Sequence, residues 1–233
     1  MYKYEIHVHT NACSACGASS GIEMVDAAKE AGYSGFVLTN HFFHGNTGID
    51  RNLPWADFVK AYADDYYIAK EYGDKVGIDV LFGLEEGFGD SKEALIYGLT
   101  PELVAATPQL ANLDIAFLSD FVRKNGGFIS CAHPFRTAPY ISNPDIVPNP
   151  IYFDGIEVFN HFNTEAANEK AFNYAKANNL QGLAGGDVHR IDAMGTCGVA
   201  FEKRICTNEE LVAALKSKAY KYITDGVLHD PVL

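Results

Sequence analysis

Short apolar runs alternate with longer segments of helical periodicity along the whole chain. The runs are rich in β-branched and aromatic residues and are bounded by glycine, proline or polar clusters, which is typical of buried strands. The predicted strands cover residues 2–9, 35–41, 77–88, 93–99, 127–134, 153–160 and 181–189, with further candidates at 196–202 and 220–225.

Start and stop signals divide the segments between these strands into predicted helices. Ser20 and Glu23 form a capping box before the first helix, and we expect Gly32 to end it. Pro54 suits the first position of the second helix, which we expect to end at Gly73. The remaining predicted helices cover residues 110–124, 165–177 and 208–217.

Strands that alternate with helices favour parallel βαβ units, and therefore an α/β sheet or barrel. The strand at 93–99 follows the strand at 77–88 too closely for a crossover helix, which predicts a hairpin-like pair. Residues 136–150 interrupt the alternation with four of the nine prolines, and a loop of that length inside a compact domain is typically functional or disordered. No internal repeat is visible, and the length favours one domain over residues 1–233.

The composition is that of an ordinary globular protein, with 48% hydrophobic and 21% charged residues. The net charge is −12, from 30 acidic and 18 basic residues without a block of like charge. Nucleic acids and anionic membranes require clustered Lys and Arg, so we expect neither as a partner. A small anionic substrate held by a few local cations is compatible with this charge.

The start of the chain does not resemble a signal peptide, because Lys3, Glu5, His7 and His9 interrupt the first apolar run. No window approaches the roughly 18 uninterrupted apolar residues of a membrane span. Five cysteines are an odd number at low density, which does not indicate a disulfide framework. We therefore expect a cytoplasmic protein.

Ligand-type side chains occur at the carboxyl ends of most predicted strands. Residues i and i+2 of a strand share a face, so HVH (7–9) and DVH (187–189) should each present a pair of ligands. In barrels and open parallel sheets the carboxyl ends of the strands carry the active site. Each motif alone is also explained by a buried histidine or a turn-forming aspartate, but together they predict a polynuclear metal centre. The candidate ligands are His7, His9, His41, Glu85, His133, Asp187 and His189.

The donor types also restrict the metal. Imidazole and carboxylate donors without an obvious thiolate cage suit Zn(II), Mn(II) or Fe(II). Glu85 is the candidate for a carboxylate that bridges two ions.

The pair Cys13 and Cys16 raises the alternatives of a zinc knuckle or a redox motif. Both are disfavoured, because no second ligand pair lies at finger spacing and the cysteines lack a strand-to-helix context.

Six short motifs follow one another along the chain: EIHVHT (5–10), LTNH (38–41), GLE (83–85), CAHPF (131–135), GIEVFN (155–160) and GGDVH (185–189). Together they resemble the PHP family, named for polymerase and histidinol phosphatase domains, over nearly the whole chain. The resemblance implies a distorted (β/α)7 barrel with a two- or three-metal centre at the carboxyl-end rim of its strands. It implies the same ligands at the matching positions, with Glu85 as the bridge.

The chain departs from the family pattern at two positions. Three-metal members usually carry another His or Asp in the loop after HxH, where this chain reads NACSACG (11–17). They often carry a His in the strand after the bridging Glu, where this chain reads KEALIYG (92–98). Cys16, His44 or a water molecule could substitute there, which leaves the occupancy of the third site open.

Several polar residues near the expected rim are candidates for substrate contacts. Arg136 and Arg190 each follow a candidate ligand, and Arg suits bidentate phosphate contact, although a surface ion pair is the alternative for both. Glu157 and Asn160 end a predicted strand and either line the pocket or hydrogen-bond to backbone. His44 is either a loop residue or a group that contacts substrate and protonates the leaving group.

These residues favour a metal-dependent phosphomonoesterase that releases phosphate from a small phosphorylated metabolite through a metal-activated water. A phosphodiesterase or exonuclease, and an amidohydrolase that cleaves a C–N bond, use the same type of centre and stay open as alternatives. The acidic composition disfavours the nuclease. A non-catalytic, metal-stabilised regulatory module is a further alternative.

Overall fold

A computed structural model describes residues 1–112, 114–141 and 143–231 of the chain. Over these residues a mixed α/β architecture is built on one curled sheet. Its strands are β1 (Tyr2–Val8), β2 (Gly35–Leu38), β3 (Asp79–Gly87), β4 (Glu93–Tyr97), β5 (Phe128–Ala132), β6 (Gly155–Asn160), β7 (Gln181–Gly185), β8 (Cys197–Phe201), β9 (Tyr220–Thr224) and β10 (Val227–His229). The last of these was not predicted.

The strand order is β10-β9-β8-β1-β2-β3-β4-β5-β6-β7. β1, β2 and β3 pair in parallel, as do β5, β6 and β7, whereas β4 is antiparallel to both of its neighbours. The chain after β7 returns to β1, where Val188 pairs with Val8 and the N–H of His9 donates to the Val188 carbonyl at 2.8 Å. The sheet therefore curls until the carboxyl ends of both parallel groups meet at one rim.

The predicted α/β class is confirmed, and so is the antiparallel pair of β3 and β4. The strict (β/α)7 alternation is not reproduced, since the five residues 88–92 that join β3 to β4 leave no space for a helix. β8, β9 and β10 also extend the sheet from β1 by antiparallel pairing. Antiparallel neighbours need only a short turn, whereas parallel neighbours need a crossover.

The helices are α1 (Gly21–Glu30), α2 (Trp55–Val76), α3 (Pro101–Ala105), α4 (Ile115–Lys124), α5 (Glu165–Asn178) and α6 (Asn208–Lys216). α1 begins at the predicted capping box, in which Glu23 N–H donates to the Ser20 hydroxyl and the Glu23 carboxylate accepts from Ser20 N–H. Among the described helices, none combines the length and the apolar composition that crossing a bilayer requires.

The predicted end of α2 at Gly73 is wrong, because the helix continues to Val76 and Gly77 closes it in a left-handed conformation with φ of 85°. Gly73 serves a different purpose within the helix. A Cβ built on Gly73 would lie 2.6 Å from the Ile78 carbonyl oxygen and 3.0 Å from Val80 Cγ2. The glycine therefore allows α2 to lie directly against the start of β3.

The predicted helix 110–124 is two elements in the structure. A 3-10 turn covers Pro108–Asn112, and α4 begins after Asp114, whose carboxylate accepts from the N–H of Phe117 at 2.7 Å. An aspartate N-cap starts a new helix because it satisfies a backbone N–H that has no carbonyl partner. Leu113 of that predicted helix, Ser142 of the predicted loop, and residues 232–233 of the predicted domain lie outside the described residues.

Alternation along β1 shows how the sheet positions polar side chains. Ile6 and Val8 are fully buried in apolar clusters, while Glu5 and His7 are fully buried on the opposite side of the strand. Successive residues of a strand point to opposite faces. β1 therefore sends its polar residues toward the inside of the curled sheet, and His9 continues this series at the rim.

Candidate metal centre

Glu85, near the end of β3, lies at the middle of a cluster of histidines. Its Oε1 lies 3.1 Å from His7 Nε2 and 3.1 Å from His133 Nε2. Its Oε2 lies 2.8 Å from His41 Nδ1 and 3.4 Å from His9 Nε2. Each carboxylate oxygen thus faces two imidazole nitrogens, which is the arrangement that a carboxylate bridging two cations requires.

Asp187 and His189, which follow β7, reach the same cluster from the other side of the rim. Asp187 Oδ1 lies 3.2 Å from His9 Nε2 and 3.4 Å from His7 Nε2. The rings of His9 and His189 stack with centroids 4.3 Å apart. The structure therefore brings the predicted ligands together at one rim.

Two of these residues adopt strained backbone conformations. His133 has a φ of 24° and Asp187 a φ of 50°, in the left-handed region that non-glycine residues seldom occupy. Such strain costs about 1–3 kcal/mol per residue and persists where surrounding structure imposes it, often at functional sites. In both residues it turns the chain at the end of a strand and directs a side chain inward.

Several nitrogen and oxygen atoms of the cluster are buried without a hydrogen-bond partner among the described residues. They include His7 Nε2, His9 Nε2, His41 Nδ1 and Glu85 Oε2. A buried polar atom without a partner costs about 1–3 kcal/mol, so several directed at one point require an explanation. Divalent cations bound to these atoms would satisfy all of them, and imidazole with carboxylate is a suitable donor set for Zn, Mn or Fe. The residues therefore fit a metal centre.

The donor atoms form overlapping groups whose members lie within 4.8 Å of one another. The groups are His9/His41/His189, His7/His9/Glu85, His7/His133/Asp187 and His41/Glu85/Glu93.

Glu93, the first residue of β4, belongs to the cluster although sequence analysis did not select it. Its Oε1 lies 3.4 Å from His41 Nδ1 and its Oε2 lies 3.5 Å from His133 Nε2. An antiparallel strand places its first residue at the rim where its parallel neighbours end, and Glu93 pairs with Gly87 and Ala132. The predicted hairpin was the signal that could have identified Glu93.

Charges within the cluster shift one another's pKa. Burial raises the pKa of Glu85, but neighbouring His7 and His41 outweigh burial and hold it well below its usual range. Burial lowers the pKa of His7, but the carboxylates around it raise that pKa well above the usual value. Burial and the nearby His41 lower the pKa of His9 well below its usual value. Ionised Glu85 and neutral His9 are the forms that bind a divalent cation.

Glu157 and Asn160 lie behind the ligands rather than at the cavity surface. Glu157 Oε1 accepts a hydrogen bond from His7 Nδ1 at 2.8 Å, and its Oε2 accepts from the His133 N–H at 2.9 Å and from Asn160 Nδ2 at 3.1 Å. A proton on His7 Nδ1 leaves the Nε2 lone pair directed into the cluster. Glu157 therefore orients a candidate ligand.

Ser14 performs the same task for His9 and was missed in the sequence. Its hydroxyl accepts from the His41 N–H at 3.0 Å and donates to Asn40 Oδ1 at 2.9 Å. Having used its single proton on Asn40, Ser14 can only accept from His9 Nδ1, which lies 3.1 Å away. His9 consequently carries its proton on Nδ1 and directs Nε2 into the cluster.

Cys16 lies at the solvent edge of the cluster, with Sγ 3.1 Å from His189 Nε2. Burial raises the pKa of its thiol, but hydrogen bonds from His189 and His41 outweigh burial and lower it to about 6. His44 lies farther out and its Nδ1 is hydrogen-bonded to Glu86. Of the two side chains considered as substitute ligands, Cys16 is the one beside the histidines.

Arg136 extends from the proline-rich loop to the cluster. Its Nη2 donates to Asp187 Oδ2 at 2.5 Å and to Asn160 Oδ1 at 2.8 Å, and its Nε donates to Asn163 Oδ1 at 3.2 Å. Within the described residues its Nη1 has no hydrogen-bond partner. Arg136 lines the cavity above the cluster, so two N–H donors are available to a bound anion.

Arg190 is placed differently. Its guanidinium forms an ion pair with Asp192 at 2.8 Å, and its side chain is 68% exposed. A surface ion pair was the alternative to a phosphate contact for this residue. Arg190 also lines an opening next to Cys16 and His189.

A cavity of about 590 Å³ opens over the cluster. Its lining includes Cys16, His41, His44, Lys92, Glu93, Arg136, Asp187 and His189. A second opening of about 400 Å³ shares Cys16, Arg136, Tyr140, Asp187 and His189 with it and adds the exposed ring of Phe162. Small molecules of metabolite size fit a space of this volume.

A comparison with protein families finds that the model of the PHP-associated family (PHP_C) matches residues 165–220, which contain Asp187 and His189. A solved structure that contains a PHP-like domain shares the fold over 97% of this chain. The predicted resemblance to the PHP family is thus confirmed over residues 165–220. No curated protein matches the sequence.

Several solved structures share the fold over most of this chain. One is a two-domain protein from Bacteroides vulgatus that contains a predicted PHP-like metal-dependent phosphoesterase. It is 18% identical with a TM-score of 0.70, over 97% of this chain and 66% of that one. A protein from Bifidobacterium adolescentis described as a putative metal-dependent phosphoesterase is 14% identical with a TM-score of 0.58, over 92% of this chain and 96% of that one. PsfC from Pseudomonas syringae is 15% identical with a TM-score of 0.65, over 96% of this chain and 92% of that one.

The chain spans less than two thirds of the first of these proteins. Endonuclease Q, in complex with a 27-mer duplex substrate with an abasic lesion, is a further structure with the fold, at 13% identity and a TM-score of 0.63 over 93% of this chain and 56% of that one. At these identities the comparisons establish a shared fold.

Proposed function

We propose that this protein is a metal-dependent phosphoesterase of the PHP family, and specifically a phosphomonoesterase that releases phosphate from a small phosphorylated metabolite. The observation that carries the proposal is the convergence of buried donor atoms without partners around Glu85, next to the guanidinium edge of Arg136 that faces the cavity. A tetrahedral phosphate dianion needs positive charge around its oxygens, and a cation centre beside a fixed Arg supplies it.

Two or three divalent ions of Zn, Mn or Fe would be held by the predicted ligands together with Glu93. Such ions, when bound, supply an activated water and neutralise charge on the phosphoryl oxygens. The role of the protein is to keep its donor atoms oriented, and Glu157 and Ser14 do this through the Nδ1 atoms of His7 and His9.

Arg136 is the proposed phosphate-binding side chain. Asp187 and Asn160 hold one edge of its guanidinium, and this leaves the Nη1 edge for an oxygen of the substrate. Because the guanidinium is held in advance, little side-chain entropy is lost when the substrate binds. Arg190, which is exposed and paired with Asp192, would contribute less.

His44 is the proposed proton donor to the leaving group. It lies at the cavity and its Nδ1 is hydrogen-bonded to the buried carboxylate of Glu86. That hydrogen bond raises the pKa of His44 and so favours the imidazolium. The opposite ring nitrogen could then donate its proton to the oxygen released from phosphorus.

A small substrate fits this chain better than a nucleic acid. The net charge is −12, and a nucleic-acid backbone needs several clustered cations for binding. The cavity of about 590 Å³ accommodates a metabolite.

Hydrolysis assays with the purified protein loaded with Mn(II) or Zn(II) test the proposal. We expect p-nitrophenyl phosphate to be cleaved faster than bis(p-nitrophenyl) phosphate, a p-nitroanilide or an abasic DNA duplex. His9→Ala should lose both bound metal and activity, whereas the matched control His161→Ala, outside the cluster, should retain both. Preferential cleavage of the diester, the duplex or the anilide would instead support the corresponding alternative, and no cleavage with metal bound would refute the hydrolase.

A further inference from the structure

The two cysteines of Cys13-Ser14-Ala15-Cys16 lie in opposite environments. Cys13 is fully buried and its thiol donates to the Tyr62 carbonyl at 3.6 Å. Cys16 is exposed at the cavity, and both thiols are free. The pair therefore does not act as a disulfide in this structure, and the function of Cys16 is to be sought among its neighbours in the cavity.

Those neighbours are imidazoles. Sγ of Cys16 lies 3.1 Å from His189 Nε2. His41 and His189 form, with His9, one of the groups whose donor atoms lie within 4.8 Å of one another. His9 Nε2 is fully buried and has no partner among the described residues. The Cys16 thiol thus lies beside one member of a group that contains an unpartnered nitrogen.

We infer that Cys16 is a thiolate ligand of the ion held by His41 and His189. The inference rests on the proposed metal centre and adds a donor of a different chemical type to it. A sulfur donor with imidazoles selects a soft or borderline ion such as Zn(II), whereas carboxylate-rich sites also suit Mn(II). This corner would therefore discriminate against Mn(II) more strongly than the corner that contains Glu85 and Glu93.

Backbone hydrogen bonds hold the loop that carries Cys16. The N–H of Ala15 donates to the Asn46 carbonyl at 2.9 Å, and the N–H of Ala18 donates to the His189 carbonyl at 2.9 Å. A Cβ on Gly17 would lie 2.2 Å from the Thr10 carbonyl oxygen, so the loop packs directly on the end of β1. The thiol is consequently fixed relative to His189 before any ion binds, which metal sites require for affinity.

Substitution with Co(II) tests the inference by spectroscopy. Thiolate ligation to Co(II) produces a charge-transfer band in the near ultraviolet, which imidazole and carboxylate ligands do not produce. We expect the band in the wild-type protein and in the control Cys206→Ser, which removes an exposed free thiol. Cys16→Ser should lose the band. Its affinity for Zn(II) should fall by at least about tenfold, because removing even a residue that only orients a metal ligand costs about that much.

Cys16→His replaces the thiolate with an imidazole donor on the same loop, so it tests whether the sulfur itself is needed or only a ligand at this position. It should restore the bound-metal content to that of the wild type, measured by elemental analysis, without restoring the band. A wild-type protein that binds Co(II) and hydrolyses phosphate esters but shows no band would overturn the thiolate ligand alone. A band that persists in Cys16→Ser would also overturn it. A wild-type protein that binds no ion would instead refute the proposed function.

Discussion

Each candidate ligand histidine at the end of β1 has a dedicated partner for its second ring nitrogen. Glu157 accepts from His7 and Ser14 accepts from His9, so in the neutral form of each imidazole the Nε2 lone pair is directed toward Glu85. A histidine binds a metal well only when its tautomer and ring orientation are set in this way. The polar groups behind the cluster are therefore as much a part of the centre as the ligands.

Removing the Ser14 hydroxyl is expected to loosen His9. In Ser14→Ala, His9 Nδ1 and the His41 N–H both lose a partner, so the proton on His9 is no longer confined to Nδ1. Affinity for Zn(II) should fall by about 10- to 100-fold, measured by competition with a chromogenic chelator. Ser217→Ala, which removes an exposed hydroxyl bonded to the Ala214 carbonyl, is the matched control and should bind as the wild type does.

The pair of His44 and Glu86 gives a prediction about pH. Glu86 raises the pKa of His44, so the imidazolium persists to higher pH than an isolated histidine would allow. If His44 donates a proton, kcat should fall as the pH rises through this raised pKa. Glu86→Gln removes the negative charge and should move the alkaline limb of the kcat profile to lower pH.

His44→Gln is the companion variant for that profile. It should reduce kcat and remove the alkaline limb, since no imidazolium remains to be titrated. An unchanged limb in both variants would assign the proton donor to another group.

Among the elements, the hairpin of β3 and β4 has the largest effect on the centre. The antiparallel turn sends β4 away from the rim, so its first residue, Glu93, lies next to the last residues of β3 and β5. A parallel strand in this position would have placed its last residue at the rim instead. The hairpin was predicted from the sequence, and its consequence for Glu93 follows from the pairing register.

The contact between α2 and β3 is the second informative feature of the elements. Gly73 allows the helix backbone to approach Ile78, where a side chain would collide with the carbonyl oxygen. Gly73→Ala is expected to lower the free energy of unfolding by about 1–3 kcal/mol, because overpacking outweighs the better helix propensity of alanine. Urea denaturation monitored by circular dichroism measures the change.

Glu71→Ala in the same helix is the control for that substitution. Glu71 is exposed and forms a surface ion pair with Lys75, so its loss should leave the free energy of unfolding close to that of the wild type. A Gly73→Ala protein as stable as the control would show that α2 moves away from β3 without cost.

At the scale of the whole molecule, the curl of the sheet concentrates ionisable groups at one rim. The return of Val188 to β1 places Asp187 and His189 beside His7 and His9, from the opposite end of the chain. Within the part of the chain that the structure describes, buried polar atoms without hydrogen-bond partners remain at this junction. Bound cations should therefore stabilise the fold as well as provide its chemistry.

Thermal unfolding measures this coupling. A ligand at 100 times its dissociation constant stabilises a native state by about 2.7 kcal/mol, which for a chain of this size is a rise in Tm of about 5–10 °C. We expect such a rise on adding Zn(II) to the chelator-treated protein, and its reversal by EDTA. His9→Ala should show a much smaller shift, and an equal shift would locate the stabilising ion elsewhere.

The α/β class and most of the candidate ligands could be predicted from the sequence. Strand periodicity and end signals are local, and the expected ligands stand at or just after the strand ends, so alternation and position were enough to select them. The boundaries were less accurate, as the end of α2 at Gly77 rather than Gly73 shows. A close approach of backbone and a helix end both favour glycine, and only packing distinguishes them.

Only the tertiary structure decided which side chains lie beside the ligands. Glu93 reaches the centre through antiparallel register, and Ser14 orients His9 through a hydrogen bond whose direction depends on Asn40. Glu157 lies behind His7 because the curl brings the end of β7 to β1, and β6 is the neighbour of β7 in the sheet. These relations depend on distances between residues far apart in the chain, and no local pattern encodes such distances.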